Sequence, residues 1–370
     1  MANPSVARSQ PVSFWVAAPL IAALLVLVPP PGWVVEQFYS RGVYPMIQRI
    51  LTAGSNLVPF ALLDLLLIAV LYFTVRRLGR LLSVARHESV VDAIWEGIRR
   101  VARMAAILTI VFMLLWGFNY RRLPISYTLR QGPAAPLSAE FLQSGISDAN
   151  ALATRLRLGT SSGEVLSFDE VVKELRDPMN QALAQIDREP LGTPGRPKYS
   201  LLMTPFFMWT GVDGMINPLA LETVVHPDLL PFERPFILAH EWAHLSGEAD
   251  EAEASAVGWL ACMNGPSPLA YSASLYLIEE ARAQLPAERA QFVTSQLDPG
   301  VRSDLDAIAE RLKTRRPGMQ RAASRVYDQY LKANSISDGT DSYERALTLI
   351  LRAPFRDAMS RYAFRRTSTR

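Results

Sequence analysis

Cysteine is almost missing from this chain, with Cys262 standing alone among 370 residues. One thiol excludes an intrachain disulfide and leaves the redox compartment open. It sits in the apolar run Gly258-Trp-Leu-Ala-Cys262, where a small buried residue is the expected role. A dominant charge is also lacking. Lys and Arg number 38 against 35 Asp and Glu, a formal net charge of +3, too small and too local an excess for a nucleic-acid face. No internal repeat is apparent. Histidine is scarce, with only His87, His226, His240 and His244. What is plentiful is apolar side chain, 49% of the chain, in a length sufficient for two or more structural units.

Much of that apolar content lies in three N-terminal segments: Val12 to Val28, ending at Pro29-Pro30-Pro31, then Leu57 to Val75, then Val101 to Phe118. Each approaches the ~17–25 residues that cross a bilayer core. Trp15, Trp33, Tyr72 and Trp116 stand near the segment ends, as interfacial aromatics do. Seven arginines between residues 76 and 103 separate the second and third segments, against Arg41 and Arg49 between the first and second. The positive-inside rule then puts the connection at 76–103 in the cytoplasm and everything after residue 118 outside. Within that connection, Leu78 to Arg100 reads as an amphipathic surface helix or helix pair. Asp64, inside the second segment, has no basic partner in the apolar stretches, so a packing or helix-contact role is expected for it.

Residues 119–370 read as a separate domain after the Pro- and Gly-rich linker at Gln131 to Pro136. Helical spacing runs over Ser138–Leu156 and Phe168–Asp187, and again over Leu269–Leu285, Ala287–Leu297, Val301–Thr314, Gly318–Asn334 and Ser342–Tyr362. Between these groups, Lys198 to Trp209 and Gly211 to Val225 are rich in β-branched and aromatic residues and read as two or three short strands. Pro218 marks Gly214–Val225 as an edge strand, along which an extended peptide could add. Arg365, Arg366 and Arg370 form a tail.

The stretch that carries chemistry is Pro235 to Ser255, with His240-Glu-Trp-Ala-His244 at its centre. On a helix, positions four apart share a face, so His240 and His244 can offer two imidazole nitrogens to one metal ion. Glu241 is rotated from them by roughly 100°, where a general base can take a proton from water at the metal. Phe236, Ile237, Leu238, Ala239, Ala243 and Leu245 mark the helix as buried. Burying two histidines and a glutamate without a partner is expensive, and a metal removes that penalty. Gly247 can end the helix. A second helix from Ala249 to Met263 then returns one of Asp250, Glu251 or Glu253 as third ligand, and spacing leaves the three open. A face through Glu251, Ser255, Gly258 and Cys262 is small enough for close helix approach, whereas Asp250 completes H-E-x-x-H-x-x-G-x-x-D, similar to the metzincin pattern with Asp for the third His.

Glu251-Ala-Glu-Ala-Ser255, Trp259-Leu-Ala-Cys262, Tyr271-Ser272, Lys198-Tyr-Ser200 and Ser342-Tyr343 together resemble an uncharacterised bacterial family of membrane-anchored, zincin-like proteins. The acid run is also similar to the E-x-x-A-D/N signature of gluzincin peptidases, which implies Glu251 as the third zinc ligand. Ser255 stands where those families carry Asp or Asn. The resemblance implies a mainly α protein of N-terminal transmembrane helices followed by a zincin-like α+β domain with a small sheet. Tyr343 and Tyr271 enter through it as candidate donors to an oxyanion; His226, before Pro227 in a loop, is a candidate on sequence alone to assist a transition state. The expectation is a multi-pass protein of the bacterial inner membrane with an extracytoplasmic Zn²⁺ peptidase domain. The alternative is a non-catalytic, zinc-containing scaffold or sensor, in which Glu241 would have no task.

Overall fold

The computed structural model describes residues 12–87, 90–130, 137–159, 166–333, 342–352, 355, 357–359 and 362. Four helices open the chain: α1 (Val12–Leu27), α2 (Gly32–Asn56), α3 (Leu62–His87) and α4 (Val90–Leu115). Among the described residues no single helix is long and apolar enough to cross a membrane. By length and composition only the pair Ala17–Leu27 and Gly32–Asn56 does so, and it is bent by 105°. The three expected segments are therefore redrawn. Pro29-Pro30-Pro31, lacking amide donors, separate α1 from α2. Loop residues 57–60, with Pro59, delay the second helix to Leu62. The third segment is the C-terminal half of α4, whose other half carries Glu96, Arg99, Arg100 and Arg103. The stretch expected as a surface helix is the meeting of α3 and α4, with residues 88–89 outside those described.

Two of these helices, α1 and α4, share a direction and an end. Ala18 and Ala22 of α1 pack on Ala106 of α4, and Arg121, beyond α4, reaches the Val26 carbonyl at 3.5 Å, so α1 and α4 run parallel. The N-terminus of α3 is fixed to the rest of the protein by Glu222, whose carboxylate accepts from Leu62 N (2.8 Å) and Leu63 N (2.6 Å), two of the donors that a helix start leaves unpaired. Asp64 is likewise bound outside its own helix, accepting from the Ser200 hydroxyl, from Leu201 N at 2.8 Å and from Leu202 N at 3.2 Å. This is the contact role expected for it, with a loop as the partner.

The remaining helices enclose the core. They are α5 (Ala139–Gly159), α6 (Phe168–Gln185), α7 (Thr204–Thr210), α8 (Arg234–Leu245), α9 (Glu251–Asn264), α10 (Ser267–Ala283), α11 (Ala287–Ser295), α12 (Pro299–Arg311), α13 (Pro317–Ala333) and α14 (Ser342–Ile350). The periodic stretches of sequence hold within a few residues, except that the one expected over Ser342–Tyr362 ends as a helix at Ile350, where residues 351–352 turn. Helix α6 starts on a reciprocal cap between Ser167 and Glu170. Helix α9 is buried at nearly every position because α6, α8, α10 and α14 surround it. The linker at 131–136 and the arginine tail lie outside the described residues.

The sheet is small and differs from expectation. Strands β1 (Pro197–Lys198), β2 (Gly214–Asn217) and β3 (Glu222–Val225) lie in the order β1-β3-β2, with β1 parallel and β2 antiparallel to β3. Gly214–Val225 is thus a hairpin rather than one edge strand. Pro218 sits in its turn, where no ladder bond is lost, and β3 is interior and wholly buried. The edge strands are β1, of two residues, and β2, of four. The aromatic run Thr204-Pro-Phe-Phe-Met-Trp-Thr210 is the helix α7, not a strand. Pro205 opens it, Gly211 ends it in the left-handed region at φ 76°, and the Asp64-bound turn before it directs the chain into helical geometry. Lys198 and Glu222, both buried, pair at 3.1 Å, and the Lys198 ammonium also donates to Ser55 O (2.7 Å) and Ser55 Oγ (2.9 Å). The sheet and the α2–α3 turn form one unit.

Candidate metal centre

Helix α8 runs straight through the H-E-x-x-H motif and stops where Gly247 adopts φ 97°. His240 and His244 are four apart and face each other, Nε2 to Nε2, at 3.1 Å. Helix α9 then crosses α8 and returns Glu251 at its first position. The Glu251 carboxylate lies 3.3 Å from His240 Nε2 and 3.5 Å from His244 Nε2. One candidate ligand atom from each of the three residues falls within 4.8 Å of the other two. Bonds of about 2.0–2.1 Å to a tetrahedral zinc separate ligand atoms by about 3.3 Å, so the triangle has the dimensions that such an ion requires.

The competing acids have other partners. Asp250 caps α9, accepting from Ala252 N (3.0 Å) and Glu253 N (3.1 Å), and pairs with Arg345 at 2.8 Å. That arrangement leaves the metzincin-like spacing without a ligand role. Glu253 points toward the helical turn Ile125–Thr128, where it accepts from Ile125 N at 2.8 Å. Burial, reinforced by Glu248 and Asp250, pushes its carboxyl up to about 8.

The outward nitrogen of each imidazole is also held. His244 Nδ1 lies 2.7 Å from the Glu248 carbonyl, which can only accept, so the proton belongs on Nδ1 and the Nε2 lone pair faces the cluster. Ser255 Oγ lies 3.2 Å from His240 Nδ1. The serine is thus the group placed to orient the His240 imidazole. Glu248 is itself fixed, because its carboxylate lies 3.0 Å from Arg122 and 3.0 Å from Arg188, and both arginines also pair with Glu36. Nothing in the local pattern around Glu248 singled it out, since its partners are more than fifty residues away in sequence.

Glu241 is 3% exposed, and its Oε2 has no hydrogen-bond partner among the described residues. Burial pushes its carboxyl up to about 8, with Glu251 and Asp213 adding to the rise and His244 opposing it. Burial drives both imidazoles toward the neutral form. At His244 the Glu251 charge reverses this and lifts it to about 9, whereas His240 stays lowered. Burial would raise Glu251, but the two histidines hold it well below the usual carboxylate range.

Two glycines make room for this packing. A Cβ on Gly214, at the start of β2, would lie 2.6 Å from Glu241 Oε1, and one on Gly258 would lie 2.8 Å from His240 N. The free edge of β2 therefore begins beside the Glu241 carboxylate.

The remaining candidates lie elsewhere or serve packing. Tyr271 donates its hydroxyl to Asp304 on α12. His226 follows β3, buried and stacked on Phe207, with Nδ1 accepting from Asp228 N at 3.0 Å. Burial, with Arg311 nearby, lowers its pKa. Tyr343 falls in α14 at a position whose side chain is outside the described residues. Cys262 is fully buried, as expected, and burial raises its pKa.

A family model described as "Protein of unknown function (DUF3810)" matches residues 39–351. No curated protein and no solved structure matches the chain.

Proposed function

Since the chain belongs to the DUF3810 family of proteins of unknown function, its activity has to be read from the site, and we propose that it is a membrane-anchored, zinc-dependent peptidase. The observation that carries this reading is the His240–His244–Glu251 triangle, with edges of 3.1, 3.3 and 3.5 Å, next to a buried carboxyl with an unpartnered oxygen. Zinc held by these three residues supplies Lewis acidity, polarising a peptide carbonyl and acidifying a water. The residues of the chain do the rest. Glu241 takes a proton from the attacking water and delivers it to the departing amide nitrogen. A carboxyl pushed up to about 8 suits both steps near neutral pH. Glu248 and Ser255 hold the two imidazoles, and the free edge of β2 at residues 214–217 receives the substrate as an added strand. A purely structural zinc site would have no use for Glu241, which favours the enzyme over a zinc-containing scaffold.

Anchoring is supported by the exposed apolar side chains of α3 and α4, such as Ile68, Leu71, Phe73 and Val111, and by arginines gathered between residues 76 and 103, at the far end from the metal cluster. On this topology the domain lies outside the bacterial cytoplasmic membrane. The test is metal content and cleavage on the full chain in detergent. We expect close to one zinc per chain, retained by Glu241→Gln, which loses cleavage of a generic unfolded protein. A zinc-free chain, or unchanged cleavage by Glu241→Gln, refutes the reading.

A further inference from the structure

Helix α2 is built inside out. Its polar residues Ser40, Gln48, Thr52 and Ser55 are at most 2% exposed and face the domain. Each is engaged there: Ser40 with Asn119 (3.0 Å), Gln48 with Thr193 O (2.7 Å), Thr52 with Leu221 O (2.8 Å) and Ser55 Oγ with the Lys198 ammonium (2.9 Å). The opposite face carries Trp33, Phe38, Met46 and Ile50, each at least 60% exposed, and Leu57 follows at 86%. Between residues 31 and 60, the only polar side chains at exposed positions are Gln37 and Arg49. The π turns at Val35–Val43 assist this division. They advance less per residue than α turns and so keep Glu36, Ser40 and Tyr44 aligned on the domain side.

A helix on the surface of a soluble protein turns its apolar stripe inward. Reversal leaves a long apolar stripe in need of a cover. Three features favour lipid as that cover. Helix α2 leaves α1 at 105°, so it lies across the direction of the apolar helices rather than along it. Its exposed face continues through Leu57 and Phe60 into Leu65 and Ile68 of α3. Asp64, the only charged residue from 57 to 75, is turned to the loop at 200–202.

We propose that α2, with the loop at 57–60 that follows it, is an interfacial segment that beds its apolar face at the headgroup–acyl boundary of a bilayer and seats the metal centre at the lipid surface. The link to the site is direct. Tyr44, buried on the domain side, donates to the carbonyl of Leu245 (2.9 Å), the last residue of α8. Trp116, just past α4, meets the His244 ring edge-on at 6.4 Å between centroids. The proposal rests on the membrane reading given above and specifies which surface meets the lipid.

The test places an environment-sensitive fluorophore on single added cysteines at Ile50, Ile68 and Phe292 of the full chain, in phosphatidylcholine–phosphatidylglycerol vesicles. Cys262 is fully buried and stays in place. Lipids carrying a nitroxide near the headgroup should quench the Ile50 label about twofold more than the Phe292 label, and deep nitroxides should quench the Ile68 label. Quenching at Ile68 without quenching at Ile50 overturns the interfacial helix and leaves anchoring intact. No quenching at either position removes both. Disulfide cross-linking of Ile50→Cys between two chains, with no lipid quenching, identifies a second copy as the cover and likewise overturns the proposal.

Discussion

The sharpest test of how the metal centre is assembled is Gly258→Ala. A Cβ at this position would lie 2.8 Å from His240 N, 3.0 Å from His240 Cα and 3.1 Å from the carbonyl carbon of Ala239. All three are backbone atoms of α8, so no side chain can rotate out of the way. Ordinary contact needs about 3.5 Å or more between such atoms, and α9 must retreat from α8 by several tenths of an ångström. Overpacking of this kind costs about 1–3 kcal/mol. The same displacement carries Glu251 away from the two histidines. Ligand distances tolerate only about 0.2 Å, so zinc affinity should fall by at least about tenfold. Chelator competition on the full chain measures the affinity, and thermal denaturation with and without zinc measures the stability. Gly54→Ala is the control, because a Cβ there meets nothing within 4 Å. Wild-type affinity and stability in Gly258→Ala would show that α8 and α9 do not set the ligand geometry by close approach.

Gly214→Ala should separate binding from turnover. The three atoms nearest its Cβ would all belong to Glu241, at 2.6 to 3.0 Å, so zinc content should hold while hydrolysis drops roughly a hundredfold, as misplacement by about 1 Å can cause. Ser255→Ala removes the group 3.2 Å from His240 Nδ1 and should lower zinc affinity about tenfold with the fold intact, Ser255→Asn retaining it; equal affinities in equilibrium dialysis would deny the serine an orienting role. Lys198→Met strands the buried Glu222 carboxylate and should destabilise the chain by about 3–5 kcal/mol in chemical denaturation. A loss within error would mean that Leu62 N, Leu63 N and Asn217, which also bond Glu222, satisfy it unaided.

Local pattern was enough to place the motif helix, its glycine stop and the helix that follows. It placed most other helices within a few residues, because apolar spacing near 3.6 and the left-handed turn at Gly247 are properties of neighbouring residues. It failed where a distant group overruled local preference. Residues 204–210 look like a strand, yet they follow a turn whose amides are bound by Asp64, some 137 positions earlier. Pro218 reads as an edge-strand mark, yet it sits in the turn of a hairpin whose second strand is interior.

The same division runs through the metal centre. Sequence by itself determined that His240 and His244 share a face with Glu241 beside them, and it left three acids in contention. Tertiary structure brings one of them to the histidines: Arg345 and Ile125 bind Asp250 and Glu253, while the close approach of the two helices at Gly258 sets Glu251 beside His240 and His244. It also decided that α2 turns its polar side inward, since the groups that satisfy that side come from residues 119, 193, 198 and 221. A helical period can be read from one segment of chain, but a ligand or an orienting partner exists only after separate segments pack, and their partners are fixed by that packing.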